Sequence, residues 1–252
     1  GYACNETDSL MPSAIYYSHK ITKALSTARH NGQDWMGPDG KAQVTVEYSN
    51  VNDPVRISNV VCSTQHSKDL KDNPDEVQKR VEKIIKPELN DMFDDDTIFQ
   101  INPTGNFVTG GPDGDTGVTG RKIIVDTYGG YAPHGGGAFS GKDCTKVDRS
   151  GAYMARYLAK NIVASGCSQN ATIQLSYAIG VKEPVSLYVY CDGKVRNDIS
   201  EWIYQNIDLT PLGIIRRFNL FTLDLTKTTN YGHFGKINLA WENTDIANQL
   251  NF

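Results

Sequence analysis

Hydrophobic and polar residues alternate along two pairs of neighbouring segments, and each pair predicts a β-hairpin. Residues 42–48 alternate valine and tyrosine with polar residues, and residues 55–62 follow after a short polar turn. Residues 172–179 and 185–191 form a second pair of strand-like segments around a short turn. Period-two alternation is typical of strands with one buried face, and a short polar connection favours antiparallel pairing. Two single strands are predicted as well, over residues 97–101 and 122–127.

The spacing of apolar residues also predicts helices. Four are expected, over residues 73–89, 148–166, 197–206 and 211–218. Asn73, Asn197 and Thr210 are expected to cap three of them, because short polar side chains accept hydrogen bonds from the first free N–H groups. Helix 148–166 begins at Asp148 or Ser150 and ends at Gly166, a residue type that favours helix C-termini. A further helical pattern lies within residues 2–28.

The order of these elements gives a strand–strand–helix unit over residues 42–89 and again over residues 172–206. Two copies of one topology predict a repeated α+β fold with mainly antiparallel sheets covered by helices. No helix alternates regularly with single parallel strands, which argues against a doubly wound nucleotide-binding fold. We expect two domains, residues 6–110 and 111–252, of which the second carries a glycine-rich phosphate loop. The tail at 227–252 has few apolar residues, so it is expected to wrap the surface.

Composition and charge exclude several classes of function. The net charge is -4 and no Lys/Arg-rich block is present, which argues against nonspecific nucleic-acid binding. No run of about 18 apolar residues and no leader-like N-terminus is found, so neither a membrane span nor a signal peptide is expected. The five cysteines form no CxxC pair and the five histidines no paired spacing, which indicates free thiols in the cytoplasm rather than a zinc site.

Glycine is concentrated in one stretch, residues 105–150. Of the 23 glycines in the chain, 12 lie between Gly105 and Gly141. Glycine costs about 0.5–1 kcal/mol relative to alanine in a regular element, so this density indicates positive φ angles or close approach of a ligand to the backbone. The same stretch carries the cationic side chains of Arg121, Lys122, Lys142 and Lys146. We therefore interpret it as a binding segment for a polyanion.

Three features of this stretch have two interpretations each. Residues 136–143 match the G-x-x-x-x-G-K part of a P-loop, but Asp143 stands where a hydroxyl would bind Mg²⁺. Arg121 and Lys122 are either an exposed pair on an edge strand or donors to phosphate oxygens. Asp148 is either a helix cap or, beside nearby lysines, a ligand for hydrated Mg²⁺. A P-loop NTPase is disfavoured because of Asp143.

Five sequence motifs are specific enough to indicate a protein family. They are GGGAFSGKD at residues 135–143, KVDR at 146–149, GRKIIVDTYGG at 120–130, STQHS at 63–67 and YAIGV at 177–181. These motifs closely resemble those of the S-adenosylmethionine synthetase family, also called methionine adenosyltransferases. The resemblance runs from Tyr2 to about Trp241 and implies a subunit of three related α+β domains. It also implies that this chain lacks the family's first third, with its HPD-type motif, potassium-binding glutamate, methionine-contacting residues and gating loop.

The resemblance also assigns roles to individual residues. Asp39, Gly40 and Lys41, which by themselves indicate only a turn, are implied to contact adenosine and phosphate. Phe107 is implied to stack on adenine, and Asp115 to contact ribose. The residues implied to surround the triphosphate are Arg121, Lys122, Ala138 and Lys142. Of these, the catalytic cations are Lys41, Arg121, Lys122 and Lys142. Methionine contacts are implied for Asp115 and Lys146, and a Mg²⁺ contact for Asp148. Asn106 stands where the family usually has a basic residue.

The implied reaction forms S-adenosylmethionine from ATP and L-methionine, with Mg²⁺ and K⁺ as cofactors and release of phosphate and pyrophosphate. The family forms dimers with active sites in the interface, and often tetramers. Activity would therefore need the N-terminal part, in the same chain or from a partner chain. Two rival interpretations stay open: a noncatalytic subunit of a full-length synthetase, and an unrelated P-loop NTPase.

Overall fold

A computed structural model describes all 252 residues. Its strands are β1 (Tyr2–Cys4), β2 (Met36–Asn50), β3 (Asp53–His66), β4 (Ile98–Ile101), β5 (Asn170–Ser176), β6 (Ser186–Cys191) and β7 (Lys194–Val195). Its α-helices are α1 (Ser13–His30), α2 (Pro74–Ile85), α3 (Val147–Ala164), α4 (Asn197–Asn206) and α5 (Pro211–Phe218). The two predicted hairpins and the α+β class are confirmed.

The chain forms two compact units. One is a single stretch, Ser13–Val118, which we call the continuous unit; the other, the discontinuous unit, joins Gly1–Pro12 to Thr119–Phe252. The expected domains, 6–110 and 111–252, differ from these units in two ways. They set the boundary after residue 110 rather than after residue 118, and they do not assign the first twelve residues to the second domain. Strand β1 explains the second difference, because it pairs with β5, some 170 residues away along the chain.

The continuous unit is built on a three-stranded sheet in the order β2-β3-β4. Strands β2 and β3 are antiparallel, but β4 runs parallel to β3, so this sheet is mixed within an architecture that is mainly antiparallel, as predicted. A parallel neighbour requires a crossover, which α2 and the chain after it supply. Helix α2 ends at Ile85, shortly before Pro87, whose ring cannot continue the α-helical hydrogen bonds. The core consists of Tyr17, Ile21, Leu25, Met36, Val44, Ile57, Val60, Cys62, Val77, Val81, Ile85 and Leu89.

The discontinuous unit contains a four-stranded sheet in the order β1-β5-β6-β7 with antiparallel pairing throughout. The helix expected within residues 2–28 is confirmed as α1, which begins at Ser13 in the continuous unit, whereas residues 2–4 form β1. Helix α3 packs along this sheet, and Gly166 follows it with a φ of 81°, as predicted for a C-terminal glycine. Thr210 caps α5 by accepting a hydrogen bond from Gly213 N–H.

Two of the predicted caps are wrong in detail. Asn73 precedes α2 without a side-chain capping bond, and the residue before α4 is Arg196, so that Asn197 is already helical. Helix α3 begins at Val147, one residue before Asp148, and no side-chain capping bond is formed at its start.

The predicted strand at 122–127 does not form. Its backbone closes on itself, because Asp126 N–H donates to Lys122 O and Gly129 N–H donates to Ile124 O, each over 2.9 Å. These local bonds consume the groups that a sheet ladder would use, and Ile124 and Val125 stay exposed. The β-branched composition was therefore overridden by the glycine-rich surroundings.

The predicted surface position of the tail was also wrong. Trp241 is completely buried, its ring is stacked on Tyr153 with 3.7 Å between ring centroids, and Phe234 and Leu239 are buried as well. The tail has only short 3-10 turns, so its few apolar residues do not follow the spacing of a helix or a strand. It nevertheless completes the core of the discontinuous unit.

All five cysteines are free thiols in the structure. None of the helices combines the length and the apolar character needed to cross a membrane.

Candidate functional site

The glycine-rich stretch forms an irregular loop from Thr119 to Lys146 in the discontinuous unit. At its end, Lys142 Nζ lies 2.5 Å from Asp148 Oδ2, with about a third of the lysine side chain and half of the aspartate side chain exposed. Arg121, Lys122 and Lys146 are exposed, and Ala138 is half-buried. The loop therefore presents cations and the Asp143 carboxylate to solvent, and Asp148, on α3, lies beside Lys142.

Glycine is required at two points of this loop. Gly120 has a φ of 84°, and a Cβ there would lie 2.9 Å from the Ala138 Cβ. A Cβ on Gly137 would lie 2.6 Å from Asp148 Cγ. Contacts this short require a residue without a side chain, because real Cβ atoms do not approach so closely. The glycines thus bring the segment before Arg121 against Ala138, and the loop backbone against Asp148.

Arg149 lies under the loop. Its guanidinium is buried and donates to Lys142 O over 2.9 Å, to Tyr153 Oη over 2.9 Å and to Thr228 Oγ1 over 3.2 Å. Arginine presents five fixed donors and cannot accept, so a buried guanidinium of this kind holds several acceptors in one arrangement. The backbone of Lys142 is therefore held at its carbonyl group.

His233, in the tail, holds the same loop from a second side. It is buried, Nδ1 lies 2.8 Å from Tyr153 Oη, and Nε2 lies 3.2 Å from Ser140 Oγ. Burial, with Arg149 and Lys236 nearby, lowers the pKa of His233 from 6.5 to about 4, so its ring is neutral near pH 7. Sequence reasoning missed this residue because its partners lie 80 and 93 positions away.

A cavity of about 810 Å³ adjoins the loop within the discontinuous unit. Its lining includes His134, Phe139, Asp148, Tyr177 and Tyr188. His134 Nδ1 accepts from Gly136 N–H over 2.6 Å, while the buried Nε2 atom has no hydrogen-bond partner. The cavity therefore lies between the Asp148 carboxylate and several aromatic side chains.

The continuous unit carries the other predicted residues. Asp39, Gly40 and Lys41 lie within β2, so the prediction that they form a turn was wrong. Gly40 pairs with Thr64 and Lys41 with Ser63 in the β2–β3 ladder, and the Lys41 side chain is exposed. The Pro38-Asp39-Gly40 sequence is accommodated beside an irregularity of register between Met36 and Gly40.

The Asp39 carboxylate organises a neighbouring loop. Its Oδ2 atom accepts from Gly111 N–H over 2.9 Å. Gln65 donates to Val108 O over 3.0 Å and accepts from Asp39 N–H over 3.3 Å. One oxygen of Asp39 is thus already used inside the protein.

Phe107 lies in the same loop and is fixed by His66. The two residues exchange bonds: His66 N–H donates to Phe107 O over 2.9 Å, and Phe107 N–H donates to His66 Nε2 over 3.1 Å. The Phe107 side chain is half-buried, whereas Asn106 and Asp115 are exposed. His66 and Gln65 belong to the STQHS motif, which signalled them without indicating that they fasten this loop.

The predicted residues therefore gather into two groups, one in each unit. Arg121, Lys122, Ala138, Lys142, Lys146 and Asp148 lie in the discontinuous unit, and Asp39, Gly40, Lys41, Phe107 and Asp115 lie in the continuous unit. The chain contains no group of three or more His, Cys, Asp or Glu side chains arranged to hold a metal ion.

Comparison with known proteins identifies the family. The sequence model of the S-adenosylmethionine synthetase central domain matches residues 1–107, and that of the C-terminal domain of the same enzymes matches residues 109–243. S-adenosylmethionine synthases of Nitrobacter hamburgensis and Parvibaculum lavamentivorans are each 52% identical to this chain, over 99% of its length.

The chain spans about 65% of the length of these curated relatives. A solved structure of an S-adenosylmethionine synthetase from Campylobacter jejuni, described as unusual, matches with a TM-score of 0.92 and 36% identity, over 99% of this chain and 68% of that one. The chain therefore belongs to the S-adenosylmethionine synthetase family.

Proposed function

We propose that this chain is the central and C-terminal part of a methionine adenosyltransferase, which forms S-adenosylmethionine from ATP and L-methionine and, after water cleaves the triphosphate, releases phosphate and pyrophosphate. The observation that carries the proposal is the exposed Lys142–Asp148 pair on a glycine-rich loop, in a chain whose relatives are named S-adenosylmethionine synthases. Lysine, carboxylate and open backbone together suit a triphosphate with its metal ion.

The proposed chemistry fits the residue types. The methionine sulfur carries no proton, so its attack on C5′ of ATP needs no general base. The leaving triphosphate gains negative charge as the bond breaks, and fixed cations stabilise that charge. Lys41, Arg121, Lys122 and Lys142 take this role in the proposal, and alignment of the two substrates lowers the barrier further.

The remaining roles concern binding. Asp39, Gly40, Phe107, Asp115 and Ala138 contact the nucleotide in the proposal, and Asp115 and Lys146 contact methionine. Since one oxygen of Asp39 already accepts from Gly111 N–H, its other oxygen is the one left for the nucleotide. Asn106 offers a neutral contact where the family usually has a cation, which we expect to weaken binding there by about 1 kcal/mol.

Asp148 fits the proposed role as a Mg²⁺ ligand. Mg²⁺ is commonly bound by one or two carboxylates together with substrate phosphates, so a single exposed carboxylate beside a phosphate-binding loop is sufficient. When bound, the ion would neutralise phosphate charge. Lys142 holds the Asp148 carboxylate toward the loop. K⁺ is proposed from the family resemblance alone, and no residue of this chain is assigned to it.

The N-terminal part of the synthetase is required in this proposal, either in the same polypeptide or from a partner chain. A homodimer or tetramer is the expected assembly if all three domains share one polypeptide. We place the protein in the cytoplasm, where its five free thiols stay reduced.

The experiment assays S-adenosylmethionine formation with ATP, methionine, Mg²⁺ and K⁺. The chain is tested alone and after mixing with the separately produced N-terminal third of the Nitrobacter hamburgensis synthase. We expect activity only in the mixture, and we expect Lys142→Ala to lower its turnover at least about 100-fold. Lys182→Ala, which alters an exposed lysine paired with Glu183 elsewhere in the same unit, is the matched control. Activity unaffected by Lys142→Ala would contradict the catalytic proposal.

The rival proposal is a noncatalytic subunit of a full-length synthetase. The observation that motivates it is Asn106, which stands where the family usually has a basic residue. Native mass spectrometry of the protein isolated from its source separates the two proposals. A second chain of roughly 100–130 residues at equal stoichiometry supports a split enzyme. Copurification with a full-length synthetase supports the rival if Lys142→Ala in this chain leaves the turnover unchanged.

A further inference from the structure

The loop that carries Lys142 is fastened at two points, two residues apart. Arg149 donates to Lys142 O over 2.9 Å, and His233 Nε2 lies 3.2 Å from Ser140 Oγ. Gly141, between them, has a φ of 86°. We infer that His233 is a positioning residue, which fixes Ser140 so that the loop presents Lys142 to its phosphate ligand. The ligand in this inference rests on the proposed function.

The contacts of Arg149 set the direction of the hydrogen bonds. Arg149 Nε can only donate, so Tyr153 Oη accepts from it over 2.9 Å. The Tyr153 hydroxyl proton is then directed to His233 Nδ1, 2.8 Å away. With Nδ1 accepting, a neutral ring carries its proton on Nε2 and donates it to Ser140 Oγ. The order is therefore Arg149 to Tyr153, Tyr153 to His233, and His233 to Ser140.

The surroundings make this order rigid. Arg149, Tyr153, Thr228 and His233 are all at most 5% exposed, so water does not compete for the bonds among these four residues. The His233 ring also lies edge-on to Phe139, the residue before Ser140, with 5.1 Å between ring centroids. His233 N–H donates to Asp126 O over 2.9 Å, which fixes the histidine backbone to another part of the glycine-rich loop. A single tail residue thus contacts this loop at three places.

Two substitutions of His233 separate positioning from packing. His233→Gln places an amide N–H where Nε2 lies, whereas His233→Asn is too short to reach Ser140. Ser140→Ala removes the acceptor and leaves the histidine in place, so it also serves if His233→Asn does not fold. Two measurements are made on the full chain: amide hydrogen exchange of residues 139–146 by mass spectrometry, and affinity for magnesium tripolyphosphate by calorimetry.

We expect His233→Asn and Ser140→Ala each to speed exchange in this segment about tenfold and to weaken tripolyphosphate binding about fivefold. His233→Gln is expected to stay within about twofold of the natural protein in both measurements. The double variant Ser140→Ala/His233→Asn is expected to match the single variants in both measurements, because each substitution removes the same His233–Ser140 hydrogen bond. Additive effects, unchanged exchange, or equal damage from His233→Gln would overturn the inference.

Lys142→Ala distinguishes this inference from the proposed function. It is expected to weaken tripolyphosphate binding at least tenfold without speeding exchange at Ser140. If Lys142→Ala leaves the affinity unchanged, the phosphate role fails, but the exchange data still decide whether His233 holds the loop. Nitrogen NMR of ¹⁵N-histidine-labelled protein at pH 7 gives an independent test: a proton on Nε2 is expected, and a proton on Nδ1 would overturn the hydrogen-bond order.

Discussion

The two units hold their candidate cations in different ways. In the continuous unit, Lys41 lies on a strand paired with Ser63, and the sheet is supported by an apolar core. In the discontinuous unit, Lys142 lies on an irregular loop held by buried hydrogen bonds from Arg149 and His233. A strand is positioned by its own alternation and its neighbours, whereas this loop depends on side chains far along the chain. The position of Lys41 is therefore set by backbone pairing, and that of Lys142 by buried polar contacts.

Arg156 gives the largest expected effect. It is completely buried in the discontinuous unit, forms an ion pair with Glu242, and donates to the carbonyl groups of Tyr2, Ser9 and Leu10. Arg156→Ala leaves a buried carboxylate and three carbonyl groups without this partner, and we expect a loss of about 3–5 kcal/mol in the free energy of unfolding. Urea unfolding followed by circular dichroism measures it. If the alanine variant does not fold, Arg156→Lys provides the comparison.

The matched control lies in the continuous unit. Arg56 likewise pairs with carboxylates, those of Glu47 and Asp94, but its side chain is a quarter exposed and theirs are about half exposed. Because water screens this pair, Arg56→Ala is expected to cost much less than Arg156→Ala. Equal losses for the two variants would contradict the claim that buried polar contacts distinguish the discontinuous unit.

The second effect is a pH dependence at His233. Burial, Arg149 and Lys236 lower its pKa to about 4 in the folded protein, whereas the unfolded chain binds a proton below about pH 6.5. The unfolded state therefore holds more protons between these values, and stability is lost as the pH falls from 6.5 toward 4. The loss is expected to reach at most about 3 kcal/mol. Urea unfolding between pH 4 and 7 measures it.

His233→Gln tests the cause of this pH dependence. The glutamine does not titrate, so the difference in stability between the natural protein and the variant should change with pH and level off below about pH 4. Titrating carboxylates elsewhere contribute equally to both proteins and cancel in the difference. Two parallel curves would contradict the lowered pKa of His233.

The same comparison explains which features the sequence predicts. The hairpins β2–β3 and β5–β6 follow from local alternation, and Gly166 from the backbone conformation required after α3. The strand at 122–127 failed because local turns used its backbone groups. The burial of Trp241 and the contacts of His233 were missed because both depend on residues about 80 or more positions away.

The candidate site shows the same limit. The motifs predicted which residues to consider, and the structure gathers Arg121, Lys122, Lys142, Lys146 and Asp148 on or beside one loop. The motif sequences did not indicate that residues such as Arg149 and Gln65 hold the loops in place, because such a role depends on three-dimensional contacts. Tertiary hydrogen bonds have no periodic signature in the chain.

The smallest expected effect is at Asp39, where a strand residue supports a loop. Asp39→Ala removes the acceptor for Gly111 N–H, and we expect a loss of about 1 kcal/mol in stability, because a half-buried donor can turn to water. Hydrogen exchange at Gly111 should become faster, while exchange in β2 should stay unchanged, because the β2–β3 ladder is independent of this side chain. Asp39→Asn keeps an acceptor oxygen and is expected to protect Gly111. Faster exchange along β2 would show that the ladder itself needs Asp39, and the contrast between pairing and polar support would then not hold for the continuous unit.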